Sequence, residues 1–432
     1  MAGFSRRRFL QGVAGLGVGV LGGCAGMPYL TGSKAHVVVV GGGFGGATAA
    51  KYLRLLDANI HVTLVEPKAN YITCPGSNWL FAGLTELPQL TVDYQSFQDK
   101  YGVKLLVDRV SSLDAGQRRL RLAGGQSVSY DRLIMSPGID FRWDAMADYD
   151  KAASEQFPHA WQAGPQTLLL ARQLQAMPDG GVLLMTVPAD PYRCPPGPYE
   201  RASMMAYWLK QHKPRSKILI LDAKRSFSKQ ALFEAGWVKH YGYGTSNSLI
   251  EWHSLADNPL LELDRQNRVL TSEFGDRFRG DVLNIIPPQT AAQIAVQNGL
   301  TDSTGWCPVR PLTGQSVYDE FIHVVGDAAH YSPIPKSAFA ANSEAKACAL
   351  AVTSLINQKP VAEPHWLNTC YSLIAPEHGV SVAGVYKLDA ARAIVSVKGA
   401  GGVSALADVE AAALEADYAR IVYRSLVADT FR

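Results

Sequence analysis

The sequence predicts an α/β fold in which two parallel-sheet units are followed by a smaller C-terminal α+β unit. Three observations predict it. Four consecutive valines, Val37 to Val40, end in Gly41-Gly-Gly-Phe-Gly-Gly46 and run into a helical stretch. A second strand–helix–strand pattern occupies residues 181–222. A further apolar strand, Phe321 to Val325, ends in Gly326-Asp327 and leads to a long small-residue helix. Apolar runs bounded by turn residues read as strands buried on both faces, the kind found at the centre of a parallel sheet.

In the first unit Gly41, Gly43 and Gly46 fall on a G-x-G-x-x-G frame at the strand-to-helix turn. Such a turn is tight, lets a pyrophosphate approach the backbone, and offers it free N–H groups at a helix N-terminus. The next strand, His61 to Val65, ends in Glu66, about 20 residues past the last glycine, where an acid bonds the adenosine ribose. Lys68 follows in the same cofactor-binding set, and Asp108-Arg-Val110 brings backbone groups towards an adenine. Arg119 to Leu122 and Ser127 to Tyr130 read as a hairpin. Tyr130 to Gly138 is a buried strand entering a glycine turn, similar to the second flavin signature of two-dinucleotide-domain flavoproteins, with Ser136-Pro-Gly138 where Thr-Gly is common.

The second unit carries a helix from Gln166 to Ala176, strands Gly181 to Val187 and Lys217 to Asp222, and a helix from about Tyr199 to Lys210. A nicotinamide-binding unit would place a second glycine triplet after its first strand. This chain has Pro188-Ala-Asp-Pro-Tyr-Arg-Cys-Pro-Pro-Gly-Pro198 there. Five prolines remove donors and stiffen the loop, leaving no cradle for that pyrophosphate. Asn284-Ile-Ile-Pro-Pro288 marks the return crossing. Gly326-Asp327 resembles the position in two-dinucleotide-domain flavoproteins at which an acid bonds the ribityl chain or pyrophosphate. Two readings stand for Lys336 at the head of the following helix: a capping residue, or a charge facing the flavin pyrimidine. The expected domains are 34–147 with 289–358 for FAD, 148–288 for a second nucleotide-binding-like unit without a working NAD site, and 359–432 for a C-terminal interface unit. This is a glutathione reductase-like arrangement. In the C-terminal helix, Leu414, Tyr418, Ile421 and Val422 share one face, expected to pack against protein rather than lipid.

At 432 residues the chain has room for two or three domains. Its formal net charge is only +3, which argues against nucleic acid as a partner. Arg6, Arg7 and Arg8 precede an apolar, glycine-rich run from Gly12 to Gly23, the pattern of a twin-arginine export signal. Residues 1–33 are therefore expected to be a signal segment that sends a folded protein to the periplasm. Leu21-Gly-Gly-Cys24 also matches a lipoprotein cleavage box, so a lipid anchor at Cys24 stands beside simple cleavage before Lys34. No later segment reads as a transmembrane helix.

Removing the signal leaves five of the six cysteines: Cys74, Cys194, Cys307, Cys348 and Cys370. No spacing suits a metal, and no C-x-x-C-H occurs, so any haem belongs to a partner. Cys348 and Cys307 read as core residues. Cys194 lies in the proline-rich loop that stands where a nicotinamide would approach, and Cys370 opens the C-terminal unit; a disulfide between them is sterically open but not fixed by sequence.

CPGSNW at Cys74, YRCPPGPYERA at Cys194, GWCPV at Cys307, GDAAHYSPIPKSAFAANSEAK after Val325 and LNTCYSLIAP at Cys370 resemble the flavoprotein subunit of flavocytochrome c sulfide dehydrogenase. The resemblance runs from about Lys34 to the C-terminus. It implies FAD held by a thioether at Cys74, a redox disulfide of Cys194 and Cys370, and Glu200 as proton acceptor. Some relatives hold the flavin without that bond, and a helix-terminal acid is the plain alternative for Glu200. It also implies sulfide as substrate and a separate c-type cytochrome subunit as electron acceptor. Hydrosulfide is a soft nucleophile whose natural reaction is attack on a disulfide, giving a persulfide and a thiolate. The neighbouring alternatives are a sulfide:quinone oxidoreductase, a non-catalytic partner of a sulfur-oxidising cytochrome, and an NADH-dependent disulfide reductase.

Overall fold

A computed structural model describes residues 34–406 and 409–432. The expected signal segment and Cys24 lie outside the described residues. The first unit contains β1 (Ala35–Val40), α1 (Phe44–Leu56), β2 (Ile60–Glu66), β3 (Lys104–Val107) and β4 (Arg132–Met135). The second contains α2 (Pro165–Ala176), β5 (Val182–Val187), α3 (Gly197–His212), β6 (Lys217–Asp222), α4 (Gln230–Tyr241), β7 (Ile250–Ser254) and β8 (Val282–Ile285). The chain then returns through β9 (Ile322–Val324) and α5 (Ala338–Ile356). It ends in β10 (His365–Ala375), β11 (His378–Leu388), β12 (Ile394–Val403) and α6 (Val409–Phe431).

The first unit is built on an eight-stranded sheet whose parallel part runs β9-β4-β1-β2-β3. The valine run lies at its centre: Val38 stands opposite Thr63 on one side and Leu133 on the other. Val37, Val38 and Val39 are fully buried, and burying a side chain of this size stabilises by about 1.5–3 kcal/mol. Helix α1 packs against α5 and α6. The second unit repeats the layout in the order β7-β6-β5-β8, all parallel. Each unit also carries a three-stranded antiparallel sheet, at residues 110–129 in the first and 260–279 in the second. The repetition is one of architecture, invisible as sequence similarity. Where the chain crosses between units, Ile139–Phe141 pairs antiparallel with Gln289–Ala291, so the two crossings lie side by side.

Helix α4 and the individual strands of the C-terminal α+β unit have no clear signal in the sequence. Helix α4 has apolar residues on both faces, with Phe233 and Trp237 buried and Val238 exposed, which blurs its period. The long C-terminal sheet, β10-β11-β12, is glycine-rich and half-exposed, and carries bulges that break the alternation. Within this chain α6 packs through a different face from the one expected to meet protein: Leu414, Tyr418 and Ile421 are exposed and Val422 is half-buried in a cavity wall, whereas Ala416, Ala419, Val427 and Phe431 are buried. Small residues face the sheet because α6 crosses β11 closely. A Cβ at Gly379 would meet the backbone nitrogen of Ala416 at 2.4 Å.

Candidate active site

A cavity of about 830 Å³ opens along the C-terminal ends of β1 and β2 and runs to the meeting point of the two larger units with β10. Its phosphate end is the glycine turn. Gly41 has φ +96°, and a Cβ there would meet the Ser136 carbonyl at 2.2 Å. A Cβ on Gly46 would meet the Gly41 carbonyl at 1.8 Å, so that glycine lets α1 pack on the turn and is not itself on the cavity wall. Gly43, Glu66, Lys68, Val110, Ser136, Gly138, Gly326 and Asp327 do line it. Glu66 organises the turn: Oε2 accepts from the Gly42 N–H at 2.8 Å and Oε1 from the Lys68 N–H at 3.1 Å.

These residues fit a flavin dinucleotide. Asp327 Oδ1 is buried without a hydrogen-bond partner, a costly state for a carboxylate oxygen unless a ligand hydroxyl completes it. Burial pushes the Asp327 carboxyl up, against the opposing pull of Arg193 and Lys336. Arg193, which carries no sequence signal of its own in the proline-rich loop, lines the same cavity.

Lys336 corrects one expectation. Its ammonium donates to the carbonyls of Asp327 (2.8 Å) and Ala329 (2.7 Å) and lies 3.8 Å over the Trp306 ring. Those partners hold it beneath the Asp327 loop and off the cavity wall, because the carbonyls at the loop end are its nearest acceptors. Ser337 takes the capping role, accepting from the Ala340 N–H.

Three thiols share the cavity: Cys74, Cys194 and Cys370. Cys74 Sγ lies 3.8 Å from the Trp161 carbonyl oxygen. Cys194 has φ +58°, in the left-handed region that non-glycine residues rarely adopt. Its N–H donates to the Lys336 carbonyl at 2.8 Å, and its own carbonyl accepts from Gly197 at the start of α3. Cys370 sits on β10, its Sγ 3.7 Å from Asn368 Oδ1. Both Cys194 and Cys370 are free thiols here. Burial pushes each thiol up, and for Cys194 the neighbouring Cys370 and Glu200 add to it. Cys307 and Cys348 are buried away from the cavity, each pushed up to about 12 by burial.

Glu200, on the first turn of α3, is a buried carboxylate in the cavity wall. Oε1 accepts from Trp79 Nε1 (3.2 Å) and from the Leu373 N–H (3.0 Å); Oε2 accepts from Asn78 Nδ2 (2.9 Å). It thereby ties α3 to the loop after Cys74 and to the strand that carries Cys370. Arg201 completes this girdle from Asn78 to Asn284 and the carbonyls of His159 and Ala160. Asn78 and Trp79 belong to the CPGSNW motif, but only proximity reveals what they bind.

In the second unit the acid ending β6, Asp222, is fully buried and bound internally. Oδ2 accepts from Tyr199 (2.5 Å) and Trp252 (3.0 Å), and Oδ1 from Lys224 (2.6 Å). These bonds take up the oxygens that would meet a ribose in a nicotinamide-binding unit.

Fold and cavity together put the chain in the class of two-dinucleotide-domain flavoproteins. Residues 35–152 match the pyridine nucleotide–disulphide oxidoreductase family. Residues 167–287 match the central region of the sulfide dehydrogenase (flavocytochrome c) flavoprotein chain, and residues 362–431 the flavocytochrome c sulphide dehydrogenase flavin-binding region. Over 43 residues the chain is 74% identical to the sulfide dehydrogenase (flavocytochrome c) flavoprotein chain of Chlorobaculum thiosulfatiphilum, covering 10% of this chain and 90% of that sequence. It belongs to the family of flavocytochrome c sulfide dehydrogenase flavoprotein chains, which are sulfide-oxidising, FAD-binding proteins. The mitochondrial sulfide:quinone oxidoreductase of Mus musculus is 25% identical over 355 residues, 78% of this chain and 76% of that one. The solved sulfide:quinone oxidoreductase of Aquifex aeolicus shares the fold, with a TM-score of 0.68, 16% identity, and coverage of 91% of this chain and 92% of that one.

Proposed function

We propose that this chain oxidises sulfide through a redox pair formed by Cys194 and Cys370 and passes the electrons to a c-type cytochrome subunit. One observation carries the reading: the two thiols, far apart in sequence, line the same cavity as the glycine turn and the unpartnered Asp327 oxygen. Hydrosulfide attacks the bonded pair, one sulfur becoming a persulfide and the other leaving as a thiolate. Re-forming the pair expels the added sulfur as sulfane sulfur with one proton and two electrons. Bound in this cavity, FAD would supply the acceptor for that electron pair and the ability to release it one electron at a time. Glu200 receives the proton at Oε2, which carries one donor where Oε1 carries two. Cys74 is the candidate thioether to the flavin. The proline-rich loop and the internal bonding of Asp222 support an acceptor other than a nicotinamide.

The twin-arginine pattern at Arg6, Arg7 and Arg8, if it acts as an export signal, supports a periplasmic site of action. Among the described residues no helix is long and apolar enough to cross a membrane. A second reading, transfer to a quinone, draws on the exposed Leu414, Tyr418 and Ile421 of α6 and on the long match to a sulfide:quinone oxidoreductase. Anaerobic sulfide titration tests the chemistry: the flavin bleaches with sulfide and stays oxidised with NADH. Cytochrome c and a short-chain quinone, offered separately to the reduced protein, test the acceptor. Reduction of the quinone alone overturns the cytochrome assignment.

A further inference from the structure

Lys229 caps α4 in a left-handed backbone conformation, φ +62°, and its side chain runs inward. The residue is 8% exposed. Its ammonium donates to the carbonyl of Cys370 (3.2 Å), the hydroxyl of Ser372 (2.9 Å) and the carbonyl of Val380 (3.2 Å). Three donors thus meet three neutral oxygens. Among the described residues no carboxylate lies within salt-bridge distance of it. A buried cation without a paired anion is costly to keep. The structure keeps one behind the strand that carries Cys370, outside the cavity wall.

We propose that Lys229 is the positioning residue of the reactive pair, fixing the main chain at Cys370 and supplying the counter-charge for the thiolate that Cys370 becomes. The inference rests on the redox-pair reading above.

The surroundings of Cys370 agree with this assignment. Glu200 faces it from α3 and disfavours the thiolate; Cys194 faces it from the proline-rich loop and Tyr386 from β11. Asn368 and Ser337 favour the thiolate through hydrogen bonds, and Lys229 on α4 is the largest influence opposing burial. At Cys194 burial, Cys370 and Glu200 all push the thiol up, and Arg193 outranks Lys229 among the opposing charges. Burial draws the Lys229 ammonium down to about 8, and the nearby Cys370, Glu200, Cys194 and Glu415 hold it up against that. Below about pH 8 the ammonium carries its charge behind the sulfur, where release from a disulfide leaves Cys370 as a thiolate, and its bond to the Cys370 carbonyl keeps that sulfur in register with Glu200, which holds Leu373 on the same strand.

The test is peptide-resolved alkylation of the reduced holoprotein across pH. In the wild type Cys370 ionises at lower pH than Cys194. In Lys229→Met the Cys370 midpoint rises by about one unit or more, a tenfold loss of thiolate below the midpoint, and in Lys229→Arg it returns towards the wild type. An unchanged Cys370 midpoint in Lys229→Met overturns the proposal. Should that variant not fold, the wild-type comparison decides alone: a Cys194 midpoint at or below that of Cys370 overturns it. Sulfide bleaching of wild-type flavin reports separately on the redox-pair reading, so the two failures are distinguishable.

Discussion

The Cys194 N–H donates to the carbonyl oxygen of Lys336 at 2.8 Å, fastening the proline-rich loop of the second unit to the chain that enters α5 in the first. The bond holds Cys194 in its left-handed conformation, so the thiol faces the cavity from a backbone that prolines on both sides already stiffen. The expected result for Cys194→Ser is a folded protein that keeps its FAD and loses sulfide bleaching by at least about a hundredfold, as removal of a nucleophile that forms covalent intermediates requires. Anaerobic titration monitored by flavin absorbance measures it.

Cys74 lines the flavin cavity and its thiol is free to form a bond outwards. Acid precipitation of the wild-type protein is expected to leave yellow colour in the pellet. The same treatment of Cys74→Ser releases all flavin to the supernatant. Colourless wild-type pellets would show that the cofactor is held without a covalent bond.

Asp327 presents a buried oxygen with no partner. A hydrogen bond to a charged group contributes about 1.5–3 kcal/mol, so Asp327→Ala should weaken FAD binding by about tenfold to a hundredfold. Made in a Cys74→Ser background, the loss is read directly from FAD titration of the apoprotein. Retained affinity would mean that the orphaned oxygen does not face the cofactor.

His323 on β9 is fully buried, its Nδ1 donating to the Thr313 carbonyl (2.9 Å) while Nε2 accepts from Arg132 (3.2 Å). Burial pulls its pKa down to about 3, with Arg132 adding to the shift and the Thr313 bond opposing it. The unfolded chain titrates near 6.5 and so takes up a proton that the folded one refuses across the interval between the two values. The stabilisation is complete above the unfolded value, declines as pH falls through that window, and is gone below the folded value. His323→Gln should flatten the pH dependence of unfolding there by up to one proton. Urea unfolding at a series of pH values measures the slope, and an unchanged slope refutes the assignment.

The order of strands and helices in the first unit was legible because Val37 to Val40 and Phe321 to Val325 are apolar runs ended by glycine, a signal local to a few residues. The C-terminal sheet was not. Gly379 and Gly384 interrupt its pattern for the sake of close approach, to α6 in one case and to the Tyr386 ring in the other. Close approach also decides which face of α6 meets the sheet: small Ala416 and Ala419 are buried there, while Leu414 and Tyr418 stay exposed.

By itself the sequence determined the glycine turn and the proline-rich loop that stands where a second glycine triplet would be. These are statements about backbone freedom and residue type, and both are written in the chain. Tertiary structure alone decided that Lys336 turns to carbonyls, that Glu200 and Asp222 spend their oxygens on internal donors, and that Lys229 reaches the back of Cys370. A charged side chain settles on whichever partner burial leaves within reach, and that partner lies 173 residues away in the case of Glu200 and Leu373.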